Sequence, residues 1–140
     1  MIAAYLAIPI ACVIIFSVVM TIRQDRKLHL LASRRRGDSI CRFVRSLDYR
    51  RLDTEVIRAV YEGLQESLRS SCPAIPVHPS DDIDRDYLMD PEEFDEWVCE
   101  IADRLGRSLE GSERNPHHPR ICIVSGLIEF LCAQPKVSAS

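Results

Sequence analysis

A chain of 140 residues, 46% of them hydrophobic, has room for one folded domain and one accessory segment. The formal net charge of -3 conceals a strong asymmetry. Residues 1–22 carry no charged side chain, residues 23–51 carry ten basic and three acidic residues (a net +7), and the remainder carries eight basic and eighteen acidic residues (a net -10). The basic and acidic parts therefore suggest different partners. Nucleic acid is not expected among them, because no aromatic side chains accompany the arginine run and the body is acidic.

The six cysteines show no CxxC pair and no metal-ligand spacing with histidine. Cys12 lies in the apolar N-terminal segment, which leaves an odd number in the body. Cys99, Cys122 and Cys132 lie on or next to apolar stretches, where a free cysteine behaves as a small hydrophobic residue. The set is typical of reduced thiols in a reducing compartment.

Residues 1–22 are uncharged and mostly apolar, which predicts a transmembrane anchor. About 20 residues of helix span a hydrocarbon core of about 30 Å, and membrane helices tolerate a proline such as Pro9. The alternative is a cleaved signal peptide. It fits less well because no basic residue precedes the apolar run and the run is longer than a usual signal core.

Residues 23–37 form a basic juxtamembrane neck, containing Arg23, Arg26, Lys27 and Arg34–Arg36. Because basic residues follow the span and none precedes it, the positive-inside rule predicts a single-pass protein of the cell membrane with a cytoplasmic C-terminal domain. The same side chains can contact anionic lipid headgroups of the bilayer.

Residues 38–134 are predicted to form a helical domain. Asp38 can cap a first short helix, over residues 38–47, and a second helix is expected to begin at Asp53 and to reach about Ser70. Three prolines exclude helix from residues 72–80, where Ile75 and Val77 are expected to fix the loop to the core. A last helix is expected at about residues 122–132, and the tail 135–140 is expected to be disordered. The predicted fold class is all-α.

The best-specified helix follows an acidic loop at residues 81–89. Asp90 can serve as its N-cap, Pro91 occupies the first helical position, and Gly106 can supply the left-handed turn that ends it. Apolar residues recur on one face of this helix, namely Phe94, Trp97, Val98, Ile101 and Leu105.

One interpretation of the acidic loop is a calcium site. Carboxylates occupy positions 1, 3, 5, 9 and 12 of an EF-hand-like loop, namely Asp82, Asp84, Asp86, Asp90 and Glu93. Position 6, normally glycine, is Tyr87, and a proline-rich loop replaces the entering helix. Calcium is therefore the least favoured interpretation, and no metal is expected.

Residues 53–131 resemble the acyl-carrier-protein family in the order and spacing of their helices. The stretch from Asp82 to Glu93, completed by Glu96 and Trp97, is similar to the family's acidic D-x-L-x-x-D-L-G-x-D-S-L-D-x-x-E-L lead-in to helix two. The register holds without a gap to Gly106, and residues 123–131 are similar to the family's last helix. The resemblance covers a little over half of the chain and implies a small acyl-carrier-like helical bundle, which would follow the N-terminal transmembrane helix.

The departures from the family pattern concern its chemistry. Carriers attach phosphopantetheine to the serine of D-S-L, but the matching residue here is Pro91, which has no nucleophile. The family's glycine two residues before the aspartate is Leu88, and the leucine after the serine is Glu92. Phosphopantetheine and catalysis are therefore not expected.

The resemblance implies a second property, because helix two of carriers is also an acidic surface that docks basic patches of partner enzymes. The matching residues here are Asp90, Glu92, Glu93, Glu96 and Glu100. The plain alternative is a solvated helix face. We expect a non-catalytic, membrane-anchored module that docks a basic protein partner. The alternative is a membrane-tethered carrier that carries or binds an acyl chain.

Overall fold

A computed structural model describes residues 2–137 of the chain, with side chains from residue 8 onward. Its first helix, α1 (Ile2–Arg34), is continuous across the predicted boundary between anchor and neck at residue 22. Within Ile8–Arg34, an 18-residue window has a mean hydropathy of 1.6, so this part of α1 is long and apolar enough to cross a membrane. Met1, at the start of the predicted anchor, lies outside the described residues.

The body consists of five further α-helices: α2 (Ile40–Arg45), α3 (Thr54–Ser67), α4 (Ile83–Tyr87), α5 (Pro91–Arg104) and α6 (Val124–Ala133). Two 3-10 turns, Ser112–Arg114 and His118–Arg120, precede α6. Residues 2–137 contain no β-strand and only two isolated bridges, so the predicted helical class is confirmed. The helix α4 was not predicted. It lies inside the segment that was expected to be a loop.

Local capping explains where the two longest body helices begin and end. The Asp53 carboxylate accepts a hydrogen bond from the Glu55 amide at the start of α3, and Asp90 accepts one from the Glu92 amide at the start of α5. Gly106 takes a φ of 60°, and the Arg107 amide then donates to the Ala102 carbonyl. The predicted roles of Asp90 and Gly106 are confirmed, and the helix predicted to begin at Asp53 begins there, with the Asp53 side chain as its cap.

The helix α2 is shorter than predicted, and its capping differs. Ser39 precedes the helix without a side-chain cap, while Asp38 pairs with Arg42 one turn later at 2.5 Å. The Phe43 side chain is buried, and its ring lies 5.0 Å from that of Tyr61 on α3. The first short helix therefore packs on the body through an aromatic contact.

Helix α3 is the centre of the body and packs against both α5 and α6. A Cβ at Gly63 would lie 2.8 Å from Ile101 Cδ1 and 3.2 Å from Trp97 Nε1, so glycine permits the close approach of α3 and α5. Phe94 and Trp97 are buried as predicted, and so are Ile75 and Val77 of the proline-rich loop. Burial of these apolar side chains supplies the main driving force for folding.

Residues 135–137 differ from the predicted disordered tail. The Ser108 amide donates to the Pro135 carbonyl at 2.9 Å, and the Val137 amide donates to the Gly106 carbonyl at 2.8 Å. These bonds surround the isolated bridge between Arg107 and Lys136. The backbone after α6 is therefore paired with the backbone after α5. The rest of the predicted tail, residues 138–140, lies outside the described residues.

Candidate docking surface

The outward face of α5 is a continuous acidic surface. Its exposed carboxylates are Asp90, Glu92, Glu93, Asp95, Glu96, Glu100 and Asp103. Within the described part of the chain, none of them forms an ion pair. The helix N-terminus stabilises those in the first turn, because its amides carry partial positive charge. The surface is therefore available to a positively charged ligand, and it contains all five residues predicted for docking.

A pocket of about 220 Å³ opens at one edge of this acidic surface, between α4 and the start of α5. Its apolar wall comes from the side chains of Ile83, Met89, Phe94 and Ile121. Its rim comes from Asp84, Pro91, Asp95 and Cys122, all of them exposed. Pro91, the residue at the position of the carrier serine, thus lies beside an apolar pocket with acidic side chains at its rim.

The predicted calcium ligands are distributed differently from an EF-hand loop. Asp82 caps α4 by accepting a hydrogen bond from the Arg85 amide at 2.9 Å, and Asp90 caps α5. Asp86 accepts a hydrogen bond from the Asp82 amide at 2.9 Å and pairs with Arg85 at 3.2 Å. Between residues 8 and 137, no three potential ligand side chains converge on one point.

The titration of Asp86 reflects these bonds. Burial favours its neutral form, but the hydrogen bonds from Arg85 and from the Asp82 amide outweigh this effect and hold the pKa of Asp86 below its ordinary value. Asp86 is therefore held in its charged form by partners within or next to α4, the Asp82 amide and Arg85.

The acidic loop is tied to α1 by a buried carboxylate. Asp81 is only 2% exposed and accepts two hydrogen bonds of 2.6 Å from the Arg35 guanidinium, which follows α1. It also accepts bonds from the His78 amide at 2.7 Å and from the Tyr87 hydroxyl at 2.5 Å. The Asp81 carbonyl accepts a bond from the Val124 amide, which begins α6. One aspartate thus connects α1, the proline-rich loop, α4 and α6.

The pKa values of its partners follow from this arrangement. The hydrogen bond to Asp81 raises the pKa of Arg35 against the opposing effect of burial, so the guanidinium stays charged. Burial, reinforced by the charge of Asp81, raises the pKa of Tyr87 well above its ordinary value. The Tyr87 hydroxyl therefore remains a hydrogen-bond donor.

Further contacts attach α1 to α4 along its length. Gln24 Nε2 donates to the Tyr87 carbonyl at 3.2 Å, and Lys27 Nζ donates to the Arg85 carbonyl. Leu28, next to Lys27, is fully buried. The predicted neck is therefore helical as far as Arg34 and packs against the body.

A second buried ion pair joins the ends of α3, α5 and α6. Arg107, 8% exposed, donates to Asp53 at 2.8 Å and to the carbonyls of Cys132 and Gln134 at 3.1 and 2.8 Å. Burial favours the neutral form of Asp53, but the Glu55 amide and the charges of Lys136 and Arg107 outweigh it and lower its pKa.

A wider cleft of about 770 Å³ lies on another side of the body, between the α2–α3 connection and α6. Both of its acidic residues are paired: Glu129 with His117 Nδ1 at 3.2 Å and Arg120 at 3.7 Å, and Asp48 with Arg51 at 3.4 Å. The neighbouring His118 has a different contact, because its ring lies against that of Phe130.

Sequence reasoning did not find Asp81, Tyr87 and Arg107 as structural centres. Each lies 25 residues or more from at least one of its partners: Arg35 and Asp81 are 46 apart, and Arg107 and Asp53 are 54 apart. The available signal was a charged residue at the border of an apolar or proline-rich stretch, which is too common to identify a pair.

Comparison of the chain with protein-family models, with curated proteins and with solved structures gives no match.

Proposed function

We propose that this chain is a single-pass protein of the cell membrane whose cytoplasmic helical body docks a basic protein partner and does no chemistry itself. The length and hydropathy of α1 support the membrane anchor. The ten basic residues between positions 23 and 51 support a cytoplasmic body by the positive-inside rule.

The docking proposal is supported by a contrast between carboxylates that form ion pairs within this chain and carboxylates that form none among the described residues. Asp53, Asp81 and Asp86 are paired with arginines of this chain, whereas the acidic residues of α5 are exposed and form no ion pair among the described residues. Charges of one sign on one surface steer a partner of opposite charge and select against partners of like charge.

The acyl-carrier-like bundle is part of this proposal. It is supported by the order α3, α5, α6 and by the position of Leu88, which matches the family's glycine and takes a φ of 55°. Such a conformation normally favours glycine, so the backbone at Leu88 is compatible with a glycine at this position. Because Pro91 replaces the serine, we expect no phosphopantetheine.

The experiment that tests docking reverses three charges on α5. In the full-length protein, the triple variant Glu93→Lys, Glu96→Lys and Glu100→Lys should lose the membrane-associated partners that the unaltered protein retains in an affinity capture. The matched control reverses three exposed acids of α3, Glu55→Lys, Glu62→Lys and Glu66→Lys, and should retain them. Equal retention by both variants would refute docking through α5.

A second candidate function is non-covalent or covalent binding of an acyl chain. The apolar pocket beside Pro91 favours it, because its 220 Å³ exceeds the cavity of about 150 Å³ that binds benzene in an engineered protein. The intact mass of the protein extracted from its native membranes separates the covalent form from the adaptor. An unmodified mass that retains residues 1–22 supports the adaptor and excludes a cleaved signal peptide, whereas a phosphopantetheine or acyl adduct supports a carrier.

A further inference from the structure

The exposed side of α1 above the anchor carries a basic stripe with one apolar side chain at its centre. Gln24, Lys27, Leu28 and Arg35 contact the body or are buried against it. The exposed residues beside this contact face include Arg23, Arg26, Leu30 and Arg34, at positions i, i+3, i+7 and i+11. Leu30 is 60% exposed, so an isolated leucine stands between arginines.

The pocket between α4 and α5 has the complementary chemistry. It is apolar inside, and the exposed carboxylates Asp84 and Asp95 stand at its rim without an ion pair in the described part of the chain. Its volume of about 220 Å³ is sufficient for a leucine side chain, since about 150 Å³ accommodates benzene. The pocket therefore fits an apolar side chain that has arginine or lysine on both sides.

The stripe and α4, which forms one side of the pocket, lie beside the same part of α1. Tyr87 and Arg85 are bonded to Gln24 and Lys27, and Asp81 is bonded to Arg35, so the pocket residues at 83–91 lie alongside the part of α1 that contains Leu30. Two copies anchored in one bilayer with the same orientation would therefore present stripe and pocket at equal height. Confinement to a membrane raises their effective concentration.

We propose that the pocket of one copy receives Leu30 of a second copy, with Arg26 and Arg34 of that copy placed against Asp84 and Asp95. This inference rests on the proposed docking function and names a second copy of the chain as a partner. The contact joins two different surfaces head to tail. An open assembly of this kind keeps one free stripe at one end and one free pocket at the other, whereas a closed ring keeps neither.

A charge exchange in liposomes tests the contact. Full-length donor-labelled and acceptor-labelled copies are reconstituted at a fixed ratio of protein to lipid, and energy transfer between them is measured. Either Arg26→Glu with Arg34→Glu, or Asp84→Arg with Asp95→Arg, should weaken association by about tenfold or more when present in every copy. Mixing the two variants should restore energy transfer, because each stripe then has a pocket of opposite charge. The control Glu55→Arg with Glu62→Arg should associate like the unaltered protein.

Cross-linking provides a second readout. One tagged copy carries Leu30→Cys as its only cysteine, and the other retains only Cys122, which is exposed at the pocket rim. Oxidation in liposomes should join the two tags, whereas a copy retaining only Cys41 on α2 should not be joined. Absent cross-links and unchanged energy transfer in the charge variants would overturn self-association. If the α5 triple variant still loses its captured partners in that case, the proposed docking function stands and its partner is a different protein.

Discussion

The carboxylate of Asp81 and those of the following helix α5 serve opposite purposes. Asp81 is buried and accepts four hydrogen bonds, whereas the acidic residues of α5 are exposed and have no ion-pair partner among residues 8–137. A buried charge must be paired, because leaving water costs several kcal/mol per ion. An exposed charge has no such requirement and can contribute to recognition. Burial thus separates the structural acids from the acids available to a partner.

The largest effect is expected from Asp81→Ala. The substitution leaves Arg35 and the Tyr87 hydroxyl without their partner in a buried site, which should cost about 3–5 kcal/mol of unfolding free energy. Chemical unfolding of the full-length protein in detergent, followed by Trp97 fluorescence, measures the loss. The double variant Asp81→Leu with Arg35→Met removes both charges and should be more stable than the single variant. Equal stability of Asp81→Ala and the unaltered protein would contradict the structural role.

Tyr87→Phe should have a smaller effect on the same centre. It removes one hydrogen bond to Asp81 but leaves both bonds from Arg35, so we expect a loss of about 1–2 kcal/mol in the same unfolding measurement. The ring of Tyr87 is fully buried, and phenylalanine preserves that packing. A loss as large as that of Asp81→Ala would contradict the smaller share of the stability that we assign to this one hydrogen bond.

Asp53 should contribute a pH-dependent part of the stability. Its pKa in the folded protein lies below the ordinary value, so its stabilisation is fully present above the unfolded-state pKa of about 4 and is lost as the pH falls through the folded-state pKa. The melting temperature of Asp53→Asn should therefore be lower than that of the unaltered protein at pH 7, and the difference should narrow below pH 4. A constant difference across that range would exclude the ionised carboxylate as its cause.

The smallest effect on stability is expected from the α5 triple reversal, Glu93→Lys, Glu96→Lys and Glu100→Lys. Exposed residues outside the core usually change the unfolding free energy by no more than about 0.5 kcal/mol each. Unfolding curves close to that of the unaltered protein, combined with lost partner capture, would show that these carboxylates contribute to recognition and, unlike Asp81, not to stability. A large destabilisation would show that these carboxylates support the fold as well.

Features that depend on neighbours in the chain were predictable from the sequence. The capping aspartates Asp53 and Asp90 act on amides two residues away, and Gly106 closes a helix end within one turn. The helical periodicity also identified the buried face of α5, including Phe94 and Trp97. Asp38 shows the limit of such reasoning, because its side chain had two local options and pairs with Arg42 in place of capping the helix.

The sequence by itself determined the long apolar helix, the positions of the main body helices and the acidic surface of α5, because periodicity and capping act within about one turn. Only the tertiary structure decided which charges are internal. It brings Arg35 to Asp81 and Arg107 to Asp53, packs the neck against α4 and orders residues 135–137 beside Arg107. Such pairs join residues dozens of positions apart. Their partners are chosen by which surfaces the helices bury together, and that choice is made only when the whole body packs.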